Sequence, residues 1–186
     1  MTIGMHVTVA LPDWVRDEVP LQKVYRDHHE RIGLAIELSR ANIAHGTGGP
    51  FGAAVFDGPG HLLGIGVNCV LASNCSAAHA EIMALGSSQQ NLERFRLNDE
   101  GGPITLATSA QPCAMCYGAL IWAGIDELLI GARSEDVQSL ARFDEGPLPA
   151  DWAGELERRG IAVHRDLCRD EACKVLRDYG ESGVVY

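Results

Sequence analysis

The sequence predicts an α/β protein, with helices layered around one central sheet. Three observations carry that expectation. Five short apolar stretches are bounded by turn residues and read as strands. Segments with helical patterning alternate with them. The chain has 186 residues and no internal repeat, which suits one compact domain with a sizeable core.

Residues 1–20 read as an N-terminal arm, loosely specified and carrying two prolines. Residues 21–186 read as a single domain. From Tyr25 to Ala44, apolar residues at Ile32, Leu34, Ala35, Ile36, Leu38 and Ile43 give a helical pattern, with HGTGGP as its stop. FGAAVFD and HLLGIGVNCVL then read as strands joined by the turn DGPG. AAHAEIMALGSSQQ reads as a helix and GGPITLATSA as a turn followed by a strand. PCAMCYGALIWAG reads as a helix opened by Pro112, since a first turn tolerates proline. IDELLIGA is a further strand, and DWAGELERRG, IAVHR and RDEACKVLRDYG give helix, strand and helix.

Composition narrows the function. Lys plus Arg is 15 against 25 Asp plus Glu, a formal net charge of −10. Such a chain is poorly suited to a polyanion, and its most basic stretch, LERRGIAVHRDLCRD, is interrupted by acids, so no nucleic-acid partner is expected. No apolar run approaches the roughly 20 residues of a membrane span, so no membrane partner is expected either. The first residues lack a basic segment and a cleavage site, which points to a cytoplasmic protein. Six cysteines without a secretory signal argue against a disulfide framework. Cys69, Cys75, Cys168 and Cys173 read as buried small hydrophobes.

Cys113 and Cys116 stand apart, three residues from each other at a helix start. That spacing brings two sulfurs to one face, where helix-end amides favour thiolates. Alone it fits a redox pair, half of a structural zinc site or chance. His79 alone would be a satisfied core or surface residue, and Glu81 a solvated helix residue. Together, His79-Ala-Glu81 followed by Pro112-Cys113-Ala-Met-Cys116 form the H-x-E…P-C-x-x-C pattern of zinc-dependent deaminases. Two thiolates and an imidazole suit Zn²⁺ and leave a fourth position for water. Zinc lowers the pKa of that water to about 7. A carboxylate beside it can carry protons to a ring nitrogen and to a departing amine. His79, Cys113 and Cys116 are therefore the expected metal ligands and Glu81 the expected acid–base catalyst.

The chain resembles the cytidine-deaminase-like superfamily and, within it, the bacterial guanine deaminases. The resemblance runs from about Arg31 to the C-terminus, through ANIAHGTGGPFGAAVF, GVNCV, CSAAHAEIMAL, TSAQPCAMCYGALIWAG, GARSEDV and FDEGP. It implies a three-layer αβα sandwich with a mixed sheet of about five strands, and conversion of guanine to xanthine and ammonia. It also implies a homodimer, with the part from about residue 134 to 186 exchanged between subunits. By the same resemblance, Asn68 would hydrogen-bond the purine, Phe51 and Phe143 would line the pocket, and Ala53 and Ala54 would border the base. Asp144 and Glu145 would contact it, Glu145 as a second proton-handling carboxylate. Tyr186 would close the site.

The residue chemistry is compatible with a nucleobase. A carboxylate accepts from the guanine N1–H, an Asn amide donates to the O6/N7 edge, and aromatic walls suit flat apolar faces. Plainer readings stand beside each residue. Asn68 fits a strand-end turn and DEGP an acidic surface turn. Trp122 fits core packing, and His28, His29 and Glu30 fit a solvated helix face. Among rival functions, tRNA adenosine deamination fits the charge poorly. Cytosine, ammeline, guanosine or adenosine could be the substrate instead, since one or two buried polar groups decide such specificity. A purely structural zinc module would have no use for Glu81.

Overall fold

The computed structural model describes residues 5–182. Five strands form one mixed sheet in the order β2-β1-β3-β4-β5: β1 is Gly52–Phe56, β2 Leu62–Val67, β3 Thr105–Ala110, β4 Glu127–Ala132 and β5 Ala162–His164. β1 is antiparallel to both β2 and β3, while β3, β4 and β5 run parallel. All five strands expected along the chain are present.

The helices are α1 (Trp14–Glu18), α2 (His28–Ala44), α3 (Val70–Ser73), α4 (Ala80–Asn91) and α5 (Ala114–Ala123). They are followed by α6 (Ser134–Asp136, running into a π-helical turn over Val137–Ala141), α7 (Trp152–Glu157) and α8 (Arg169–Glu181). Strand alternation divides the core in two. Ala54, Phe56, Ala107 and Leu129 face α2 and α8, burying Ile32, Ala35 and Leu176. Ala53, Val55, Leu106, Leu128 and Ile130 face α4 and α5, burying Ala80, Ala84 and Leu120. This is a three-layer αβα sandwich, matching the expected fold class.

β2 and α4 approach unusually closely because glycine lies between them. A Cβ on Gly66 would stand 1.8 Å from the Ala80 carbonyl oxygen and 2.5 Å from the Ala84 nitrogen. Backbone atoms cannot swing aside, so any side chain here would push the start of α4 away from the sheet.

Three expectations need correction. The second strand ends at Val67 rather than Leu71, because Cys69 to Asn74 turn as α3, with Asn74 left-handed at its end. Pro112 precedes rather than opens its helix: Cys113 is the N-cap of α5. The arm is not unspecified. Trp14 and Val15 of α1 are buried, and the Trp14 ring stacks on His45 at 5.1 Å between centroids. Its indole N–H also donates to the Thr47 hydroxyl at 3.0 Å.

Candidate active site

His79 is the N-cap of α4 and Cys113 the N-cap of α5, with Cys116 in the first turn of α5. The two helix starts meet, and the three side chains with them. His79 Nδ1 lies 3.5 Å from Cys113 Sγ and 3.7 Å from Cys116 Sγ. Tetrahedral zinc, with bonds of about 2.3 Å to sulfur and about 2.05 Å to nitrogen, would place nitrogen and sulfur roughly 3.6 Å apart. The donor set and its spacing therefore fit a zinc ion. Burial leaves the site little other access to charge: Cys113 is 8% exposed and Cys116 fully buried.

The electrostatics agree with a cation site. The hydrogen bond from the Cys116 thiol, aided by that from His79, pulls Cys113 down to about 4, so it is a thiolate near neutrality. The same hydrogen bond, together with burial, holds the Cys116 proton on. His79 is raised by its contact with Cys113. Two positive helix ends stabilise the anionic sulfur further.

A pocket of about 140 Å³ opens beside this cluster, lined by Phe51, Asn68, His79, Glu81, Gln111, Phe143, Asp144 and Glu145. Glu81, in the first turn of α4, is 6% exposed, and burial followed by the Cys113 thiolate raises it to about 7. Glu145 is 8% exposed and is raised to about 8 by burial, then by the charge of Glu81. Near neutral pH the two carboxyls therefore hold protons far more readily than ordinary ones.

Asn68 follows β2 and is buried, with its backbone N–H donating to the Phe51 carbonyl. Its Oδ1 accepts weakly from the Gly49 and Val70 backbone amides at 3.5 and 3.4 Å. The residue also lines the pocket. Behind it, Asn42 Nδ2 donates to the Asn68 carbonyl at 3.0 Å, and Thr47 donates to Asn42 Oδ1 at 2.7 Å. Through Thr47, Trp14 of the arm joins this chain of bonds and fixes the loop that carries Asn68.

The roof comes from residues 143–146. Phe143 meets Phe51 edge to face at 5.2 Å and stacks on Tyr179 of α8 at 5.9 Å. Asp144 is exposed at the mouth, where its carboxylate accepts from the Gly146 N–H. The Glu145 carbonyl accepts from the Ala114 N–H at 2.9 Å, which docks the roof on the first turn of α5. The roof is anchored upstream by α6, where Asp136 takes two hydrogen bonds from the Arg169 guanidinium, at 2.8 and 2.7 Å.

The structure thus gathers Phe51, Asn68, His79, Glu81, Cys113, Cys116, Phe143, Asp144 and Glu145 around one space. Ala53 and Ala54 are elsewhere. Both are fully buried in the middle of β1, hydrogen-bonded into β2 and β3 and packed into the core, and neither lines the pocket. Tyr186 lies outside the described residues. Trp122 is not core: it is 80% exposed on α5. Gln111 also lines the pocket, a polar residue between an apolar strand and Pro112-Cys113. Tyr179 left no local signal at all.

Residues 26–132 match the family model of the cytidine and deoxycytidylate deaminase zinc-binding region. The solved structure of guanine deaminase from Nitrosomonas europaea superposes with a TM-score of 0.88 at 44% identity, covering 97% of this chain and 98% of that one. Guanine deaminase of Bacillus subtilis is 34% identical over 75% of this chain and 85% of its own length. The tRNA-specific adenosine deaminase of Buchnera aphidicola is 32% identical, over 63% of this chain and 72% of its own.

Proposed function

The chain belongs to the cytidine and deoxycytidylate deaminase family, and we propose that it is a guanine aminohydrolase, converting guanine and water to xanthine and ammonia. The observation that carries this reading is the roofed pocket, in which a second buried carboxyl, Glu145, lines the same space as Glu81 beside two phenylalanines that meet edge to face. At about 140 Å³ it suits a small flat base, well below the roughly 300 Å³ at which pockets for larger ligands begin. The likeness to the Nitrosomonas europaea enzyme extends over the roof segment, whereas the tRNA deaminase match covers less of the chain.

His79, Cys113 and Cys116 would hold the family's zinc, which when bound lowers the pKa of the attacking water toward neutrality. Glu81 takes a proton from the attacking water as the water oxygen adds to C2 of the purine. It delivers this proton to N3, the ring nitrogen beside the attacked carbon. The second water proton goes by way of a carboxyl to the 2-amino group, which leaves as ammonia. Burial keeps Glu81 and Glu145 able to hold and release protons near neutral pH, which is what a shuttle requires. The Asn68 NH₂ donates to the O6/N7 edge, and Glu145 with Asp144 meets the N1–H and 2-amino edge. Phe51 and Phe143, packed edge to face, give the base an apolar wall and exclude water.

The same proposal places the enzyme in purine metabolism in the cytoplasm; among the described residues no helix is long and apolar enough to cross a membrane. It also includes a homodimer. Trp122, Phe95 and Met115 are 80%, 82% and 39% exposed, an apolar surface that a second copy would cover. The segment from residue 134 packs on its own chain here, and exchange between two copies would preserve the same contacts.

Ammonia release from metal-replete protein offered guanine, guanosine, adenine, adenosine, cytosine, cytidine and ammeline tests the substrate. Guanine alone should be consumed at a substantial rate. Turnover of a nucleoside with guanine untouched would overturn the assignment.

A further inference from the structure

A second group of metal-ligating side chains converges away from the cysteines. His28 is the first residue of α2, Glu127 the first of β4 and His164 the last of β5. Their ligand atoms all lie within 4.8 Å of one another. His28 Nε2 is 3.0 Å and His164 Nε2 3.2 Å from the same carboxylate oxygen, Glu127 Oε1. The two imidazoles tilt against each other at 4.7 Å between centroids. β3 begins at Thr105, beside Glu127, and ends at Ala110, just before the cysteines. Six residues of strand separate the two places by roughly 17 Å.

We propose that His28, Glu127 and His164 bind a divalent first-row transition metal, zinc being the best match, at a site distinct from the cysteine site. Two imidazoles and one carboxylate form a three-ligand set that suits zinc, whereas calcium and magnesium prefer oxygen alone. Bonds of about 2.05 Å at tetrahedral angles would put nitrogen and oxygen roughly 3.3 Å apart, so the observed separations need little adjustment. The other carboxylate oxygen, Oε2, is already oriented. It accepts from the Thr105 hydroxyl at 2.8 Å and stands 3.8 Å from the Arg31 guanidinium. Arg31 is itself buried and held by the Tyr25 and Gly58 carbonyls and the Thr105 hydroxyl. Such outer partners aim a metal ligand before the metal arrives.

Without metal, an Nε2–H can donate to Oε1. On binding, each imidazole ligates through a neutral Nε2 and carries its proton on Nδ1. His28 and His164 side chains are 40% and 41% exposed, which leaves the outer side of the ion to water. The ion would tie the start of α2 to β4 and to β5, the three-residue edge strand. Its role is then to pin the edge of the sheet, and stability would rise with free metal.

Equilibrium dialysis of the full chain against zinc sulfate, followed by elemental analysis, tests this. Wild type should take up two zinc ions per chain. The His28→Ala/His164→Ala double variant and Glu127→Gln should each take up one. Only wild type should gain melting temperature with the second equivalent. Since none of these residues touches the deaminase pocket, retained guanine turnover in the variants certifies their folding. Cobalt gives an independent readout: the second equivalent should add visible d–d bands without the thiolate charge-transfer band of the first. One zinc per chain in wild type at about 100 μM free metal would overturn the proposal. So would a second equivalent that survives unchanged in the double-histidine variant.

Discussion

His79 and Cys113 cap two α-helices, whereas Phe143, Asp144 and Glu145 belong to a stretch without regular secondary structure. The first group is placed by short-range geometry. A residue at the N-cap and one three positions on must share a helix face, and the glycines of β2 let α4 seat directly on the sheet. The second group is placed from a distance. A π-helical turn ends at Arg142, whose φ of 63° turns the chain left-handed toward the pocket. Tyr179 from α8 then backs Phe143, and Arg169 holds Asp136. The difference teaches how the pocket is built: the His79, Cys113 and Cys116 cluster stands on helix ends, and Phe143, Asp144 and Glu145 stand on a loop braced by the C-terminal helix.

Removing the proton carrier from the rigid half should produce the largest effect. Glu81→Gln preserves shape and leaves the three ligands untouched, yet turnover should fall by at least about a hundredfold with zinc content unchanged. Equal turnover with metal retained would place the proton chemistry elsewhere.

The roof should respond by less. Glu145→Gln should lower guanine turnover by roughly tenfold to a hundredfold, again with zinc bound, since Glu81 still serves the water. Comparing kcat with KM sharpens the contrast: a change confined to KM would make Glu145 a binding group and not a second proton carrier.

The smallest effect should come from the brace. The Arg169 guanidinium holds Asp136 down to about 2, against 3.8 for an ordinary aspartate. A depressed acid stabilises the fold above its unfolded pKa and loses that contribution as pH falls through the folded one. Asp136→Asn should therefore destabilise by about 1 kcal/mol at neutral pH, seen as a lower melting temperature. The gap from wild type should hold from neutrality to about pH 5 and close between about pH 4 and pH 2. A constant gap down to pH 2 would mean that the charge of Asp136 is not what braces the roof.

The same contrast explains how much could be read from the sequence. The five strands, the two helix starts and the pairs His79 with Glu81 and Cys113 with Cys116 were legible because each depends on a pattern within a few residues, whereas the sheet order β2-β1-β3-β4-β5 was not. Glu145 and Phe143 were legible only through resemblance, since DEGP by itself is an ordinary acidic turn. Ala53 and Ala54 entered only through the resemblance, and in β1 both are buried between β2 and β3 in the core. Trp122 misled in the other direction, an aromatic on an apolar helix that turned outward. The convergence of His28, Glu127 and His164 was invisible, since they meet only through the pairing of β4 with β5 and the packing of α2 across them.

The most direct test of the central claim measures zinc content and xanthine formation together, on protein stripped by chelator and then restored with increasing zinc. Activity should vanish with the ion and return in proportion to occupancy of the cysteine site, reaching its maximum at one equivalent there. Undiminished xanthine formation by the metal-free chain would contradict the account.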